Sequence, residues 1–277
     1  MKALKTLALA ASVLVAAQAN ASYTISYGGQ TATDGSGLTS SLIAPSNVVT
    51  FGSGYFIETF DAATAMSIPG VGLDFGGSTA YNIPLNSNGC AINSLSSNSG
   101  VAVNVSNPNA LGVRSTSEGG VAAAPAGNTG SCYGYTPGPG RVVPAWIEID
   151  YSVLLSRLGA NVAVNYLGFY LGSVDTFNSL EFFSGNAANP FLTLTGPEIL
   201  NQNGGASGNQ VANGSNVYIN IDFVGQSFTK FRFTTTQVAA EFDNIVTGLT
   251  TRVVSAPATL ALLGLGLLGM SLRRRKA

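Results

Sequence analysis

Residues 145–151 read Ala-Trp-Ile-Glu-Ile-Asp-Tyr, and they decide the fold class. In an extended chain Trp146, Glu148 and Asp150 point one way, while Ile147, Ile149 and Tyr151 point the other. A period of two with one apolar side predicts a half-buried β-strand. Residues 166–172, Tyr-Leu-Gly-Phe-Tyr-Leu-Gly, are continuously apolar and aromatic, as a strand buried on both faces would be. Residues 173–178 (Ser-Val-Asp-Thr-Phe-Asn) predict a turn, and 179–183 the return strand. Further on, Val217, Ile219, Ile221 and Phe223 alternate with Tyr218, Asn220 and Asp222.

Working outward, shorter strands are predicted at 23–27, 80–83, 101–105, 191–194, 228–233 and 241–246. Residues 48–60 read as two strands broken at Gly52-Ser53-Gly54. Gly-, Asn-, Ser- or Pro-rich runs at 69–79, 86–100, 114–140 and 201–216 read as loops, and Val153 to Leu158 as a loop or a single helical turn. No segment between the two ends keeps a helical repeat over three or four turns. The expectation is an all-β fold: a single β-sandwich spanning residues 22–252, with a jelly-roll, lectin-like arrangement as its analogy.

The ends carry addresses. Lys2 and Lys5 precede an apolar segment from Leu7 to Ala17, and Ala19-Asn20-Ala21 is a small-x-small cleavage site. Residues 1–21 are therefore expected to be a secretory signal peptide cut between Ala21 and Ser22. At the other end, residues 253–277 read VVSAPATLALLGLGLLGMSLRRRKA. Ser255, Ala256 and Pro257 lead into an uncharged run to Leu272, followed by Arg273, Arg274, Arg275 and Lys276. Counted from Val253 the run is long enough for a transmembrane helix, with its basic end cytoplasmic. Gly264, Gly266 and Gly269 match G-x-G-x-x-G, but no acid follows them, so this is no dinucleotide site.

This layout resembles the PEP-CTERM sorting signal of bacterial surface proteins, in which Pro-Glu-Pro, an apolar helix and an Arg cluster follow one another. Ser255 and Ala256 stand where that pattern has Pro and Glu, and Pro257 matches. Residues 167–183, with Glu241-Phe-Asp-Asn-Ile245, are similar to the β-sandwich ectodomains of the same exosortase-dependent proteins. The resemblance implies an exported protein, held transiently in the inner membrane by its C-terminal helix and processed by an exosortase-type enzyme. It also implies a cell-surface or extracellular location and association with extracellular polysaccharide.

Charge and composition narrow the chemistry. Six of the twelve basic residues lie in the two ends, whereas all thirteen acids lie between them, which leaves the intervening segment at −7. Such a surface does not suit nucleic acid, whose phosphates need Lys and Arg. There is no His, which excludes His-based nucleophile systems and His metal sites. Cys90 and Cys132, an even pair in an exported chain, are expected to form a disulfide.

Trp146, Glu148 and Asp150 are the candidate carbohydrate contacts, since sugars stack on aromatic faces and hydrogen-bond to carboxylates. The simpler reading of Glu148 and Asp150 is the solvated acidic face of an edge strand, and that of Trp146 is packing. Asp175 and Asn178 are expected to satisfy backbone N–H groups in their turn. Calcium takes oxygen ligands, which Asp175, Asn178, or Asp243 and Asn244 offer. The chain has no D-x-[DN]-x-[DN]-G loop, so the expectation is no cofactor and no metal. Three functions stay open: a non-catalytic surface or matrix protein, which is the expectation; a lectin-like carbohydrate-binding module; and a secreted glycoside hydrolase using carboxylates alone.

Overall fold

The strand signals of residues 145–151 and 166–172 meet across one aromatic core. A computed structural model of the chain describes residues 22–49, 53–61, 66–68, 73–75, 90, 92 and 100–251. The expected signal peptide, the strand at 80–83, most of the 86–100 loop, and the tail with Ser255, Ala256, Pro257 and its arginines lie outside those residues.

The strands are β1 (Ser22–Tyr27), β2 (Gln30–Thr31), β3 (Leu38–Thr39), β4 (Tyr55–Glu58), β5 (Met66–Ile68), β6 (Leu73–Phe75), β7 (Ala102–Val105) and β8 (Gly112–Arg114). Then follow β9 (Tyr133–Thr136), β10 (Ala145–Asp150), β11 (Val162–Gly172), β12 (Asn178–Phe183), β13 (Leu192–Thr195), β14 (Val217–Val224), β15 (Lys230–Thr235) and β16 (Ala240–Thr251). Among the described residues two short helices interrupt them, α1 (Ser152–Leu158) and α2 (Gly196–Asn203). A seven-stranded antiparallel sheet runs β1-β14-β11-β16-β9-β8, with β4 paired to the same edge of β16 as β9. A five-stranded antiparallel sheet runs β13-β12-β15-β10-β7. Neither closes on itself.

The two sheets share one apolar core. Phe233 of β15 stacks on Phe242 of β16, ring centroids 4.4 Å apart, and meets Phe169 of β11 edge-on at 5.3 Å. Phe182 of β12 meets Phe223 of β14 at 5.2 Å. Such pairs add about 0.5–1.5 kcal/mol each beyond their area. Tyr151 reaches across the same core, its hydroxyl 2.8 Å from Thr247 Oγ1.

One irregularity places the later sites. In β16, Val246 pairs with Gly168 but Asp243 with Tyr170, so Asn244 and Ile245 together oppose Phe169. This is a β-bulge, with Asn244 in the left-handed region at φ 48. Phe242 and Ile245 can then both join the core. Asn244 instead bonds outward, to Ser36 Oγ (2.7 Å) and the Leu38 carbonyl (2.8 Å). That outer face is roofed by residues 28–47 and by the loop around Ala126. A Cβ at Gly168 would collide there with the Tyr166 and Tyr218 hydroxyls.

The structure corrects several expectations. β10 is an interior strand between β15 and β7. The 114–140 segment holds β9, and Leu73–Phe75 within the 69–79 loop is a strand. Residues 196–203 form a helix, closed at its start by a capping box: the Glu198 carboxylate accepts the Thr195 N–H at 2.7 Å and Thr195 Oγ1 accepts the Glu198 N–H.

Candidate functional site

The outer face of the five-stranded sheet carries the residues that the sequence singled out. Register sets Asn104, Glu148, Arg232 and Glu181 in one row across β7, β10, β15 and β12. Glu148 is 4% exposed. Its Oε2 accepts from Arg232 Nη2 at 2.8 Å, and its Oε1 accepts from Asn104 Nδ2 at 3.2 Å and lies 3.6 Å from Lys230 Nζ. The Arg232 guanidinium sits 4.5 Å from the Trp146 ring centroid and 4.7 Å from that of Phe183. Asp150 Oδ1 accepts the Ser152 N–H at 2.7 Å, at the start of α1.

Trp146, Glu148 and Asp150 thus share a face, as the alternation predicted, but each already has a partner. Glu148 is a buried ion-pair centre rather than part of a solvated edge. Trp146 offers a ring face to a cation of its own sheet. The two carboxylates do not face each other across a gap in which a glycosidic bond could lie. Glu148→Ala takes the carboxylate from Lys230, leaves Arg232 with Glu181 3.7 Å away as its acid, and removes the bond to Asn104. It should lower stability by about 2 kcal/mol, read from the urea midpoint.

The turn residues also act differently from the expectation. Asp175 Oδ1 accepts from Ser207 Oγ at 2.9 Å, and burial raises its carboxyl above the usual range. Asn178 accepts from Thr235 Oγ1 at 2.9 Å and donates to the Ala239 carbonyl at 3.3 Å. Both side chains clamp other segments to the turn. Cys90 and Cys132 form the expected disulfide, with Cα atoms 5.5 Å apart.

Among the clefts that were not foreseen, two hold polar side chains of interest. One, about 590 Å³, lies where β1, the roof and the 203–217 segment meet, with Tyr27, Tyr170, Asn203, Asn213 and Asn216 in its wall. Its lining comes from segments far apart in the chain, so no local pattern announces it. The other, about 350 Å³, is lined by Asp175, Gln210 and Glu241 among others. Glu241 is 3% exposed, and it accepts from the Ala123 N–H at 2.9 Å and Ser173 Oγ at 2.7 Å. Burial pushes its carboxyl up to about 7 against the pull of those donors.

Among the described residues no helix is long and apolar enough to cross a membrane. No curated protein and no solved structure matches the chain. Residues 253–276 match the family model of the PEP-CTERM protein-sorting motif. The stretch that follows β16 is thus a PEP-CTERM signal, which marks the chain as an exported protein sorted by an exosortase.

Proposed function

We propose that the chain is a non-catalytic cell-surface or extracellular-matrix protein associated with envelope polysaccharide. Residues 1–21 export it, and residues 253–277 hold it in the inner membrane until an exosortase-type enzyme processes it. The two facing sheets read as a β-sandwich of the jelly-roll kind. The observation that carries this reading is the sorting-motif match, which begins at residue 253, just after β16 ends at Thr251. The engagement of Glu148 and Asp150 within their own sheet weighs against a carboxylate hydrolase.

A lectin-like role is the second reading, favoured by one feature. The 590 Å³ cleft brings Tyr27 together with the amides of Asn203 and Asn213. Amide groups bond sugar hydroxyls, and an open cleft with a mixed polar and apolar wall suits a glycan.

Intact-mass measurement of the surface-extracted protein tests the main reading. A mass lacking residues 258–277 is the expected result, and a mass retaining them refutes processing. On a glycan array, Asn213→Ala should abolish any binding while Trp146→Ala leaves it; the reverse would return the sugar site to the five-stranded sheet.

A further inference from the structure

Asp243 is fully buried on the outer face of the seven-stranded sheet, where the bulge puts it. Its Oδ1 accepts the Asn244 N–H at 2.7 Å. Its Oδ2 is buried with no hydrogen-bond partner among the described residues. Burial and the nearby acids hold this carboxyl well above the usual range, although the Asn244 N–H pulls the other way. The charges that act on it most strongly are Asp61, Asp34 and Glu58, all of them acids.

A second idle oxygen belongs to Asn47, whose amide bonds Asn244, the chain neighbour of Asp243. Asn47 is 3% exposed and has φ 56. Its Nδ2 is within bonding distance of three oxygens: Asp34 Oδ2 (2.7 Å), Asn244 Oδ1 (2.9 Å) and Ser36 Oγ (3.0 Å). An amide nitrogen has two protons for those three acceptors. Meanwhile Asn47 Oδ1 is buried and unpartnered. Swapping the amide ends would set an oxygen against the same acceptors, so the orientation stands.

Four segments converge here, around residues 34–36, 47, 58–61 and 243–244. Asp34 Oδ1 accepts from the Ser36 N–H and hydroxyl at 3.0 and 2.6 Å. Asp61 bridges Cys90 through its backbone and accepts the Cys132 N–H at 2.9 Å, so the disulfide fixes its place. A buried carboxylate oxygen without a partner is costly, and like charges nearby add to the cost. A cation relieves both at once, and so, in the absence of metal, does a proton on Asp243.

The donor set chooses the cation. Every idle or acidic atom is oxygen, the chain has no His, and both cysteines are in the disulfide. That excludes the sulfur- and nitrogen-seeking metals and leaves a hard ion. Among the described residues no three Asp, Glu, His or Cys groups already gather as metal ligands. Calcium accommodates this, because it takes six to eight oxygens and accepts amide and main-chain carbonyls beside carboxylates. Magnesium demands a tighter octahedron.

We propose that Asp243 Oδ2 and Asn47 Oδ1 are the central ligands of a calcium site, in the negative field of Asp34, Glu58 and Asp61, which pins residues 30–47 onto the seven-stranded sheet. The site binds with a Kd of about 0.1–1 mM, the range of extracellular calcium modules.

The test uses the full exported protein, stripped with chelator and titrated with CaCl2 while thermal unfolding is followed. The unfolding midpoint should rise by about 5–10 °C once calcium stands ~100-fold above Kd, with MgCl2 far less effective. Asp243→Asn keeps the shape, loses the charge and should abolish the rise. If that variant does not fold, Asn47→Ala should weaken the calcium response at least about tenfold in concentration. Terbium luminescence gives a direct readout, because Tyr170 and Tyr218 lie within electrostatic reach of Asp243. No midpoint shift and no terbium signal at ~10 mM metal, or an undiminished response in the variants, overturns the site.

Discussion

Phe233→Ala should cost about 3–5 kcal/mol. Phe233 is 2% exposed and is the ring at which the two sheets touch most closely. It lies parallel to Phe242 with an interplanar angle of 6°, meets Phe169 edge-on, and has Phe231 5.5 Å away on its own strand. Truncation removes the ring and leaves a cavity whose walls are strands held by ladders on both sides, so little collapse can fill it. Phe233→Leu keeps most of the volume and should cost less than half as much. Urea midpoints with an unchanged m-value would measure both. An alanine cost below about 1 kcal/mol would mean that the sheets are joined elsewhere.

Removing the disulfide comes next. Cys90 and Cys132 are 42 residues apart, and closing a loop of that length contributes up to about 4 kcal/mol in the chain-entropy view. The doubly substituted Cys90→Ser, Cys132→Ser protein should therefore unfold at a markedly lower urea concentration, as should the reduced wild type. Cys132 leads directly into β9, which pairs with Ala240–Phe242 at the start of β16. Loss should be felt first there, as faster amide exchange at Gly134 and Tyr135 than in β14. The competing possibility is definite. Asp61 holds both ends without the sulfurs, through the Cys90 bridge and the Cys132 N–H. A cost near zero would show that those contacts suffice.

Particular residues explain what could be read in advance. The alternations at 145–151 and 217–223 named the correct faces, because burial of one side leaves a period-two trace in any strand. They could not show that β10 is interior, since β7 and β15 come from distant parts of the chain. The same ignorance hid the fate of Glu148, whose burial depends on Lys230 and Arg232 arriving opposite it. β9 was missed because Tyr133-Gly-Tyr-Thr136 sits among glycines and prolines. Gly134 is needed there, as the Phe60 and Phe242 rings occupy the space of a Cβ. For α2 a signal did exist: Thr195-Gly-Pro-Glu198 spells a capping box, and Gly204 takes the left-handed cap at φ 64. At eight residues the helix is too short for periodicity to reveal it. The clefts and the Asp243 cluster are products of topology and left no local mark, apart from the Asp-Asn pair at the bulge.

The position of β16 has a mechanical consequence. It is gripped along one edge by β11 and along the other by β9 and β4, and it ends at Thr251, while the sorting motif begins at residue 253. In sequence, one residue separates this central strand from the motif. A pull on the tail is loaded along the axis of the most extensively paired strand, so its ladders resist in shear, with many hydrogen bonds sharing the force instead of peeling in turn. Force applied through an edge strand would peel its ladder bond by bond; force applied at the C-terminal end of β16 would enter through the spine of the sheet.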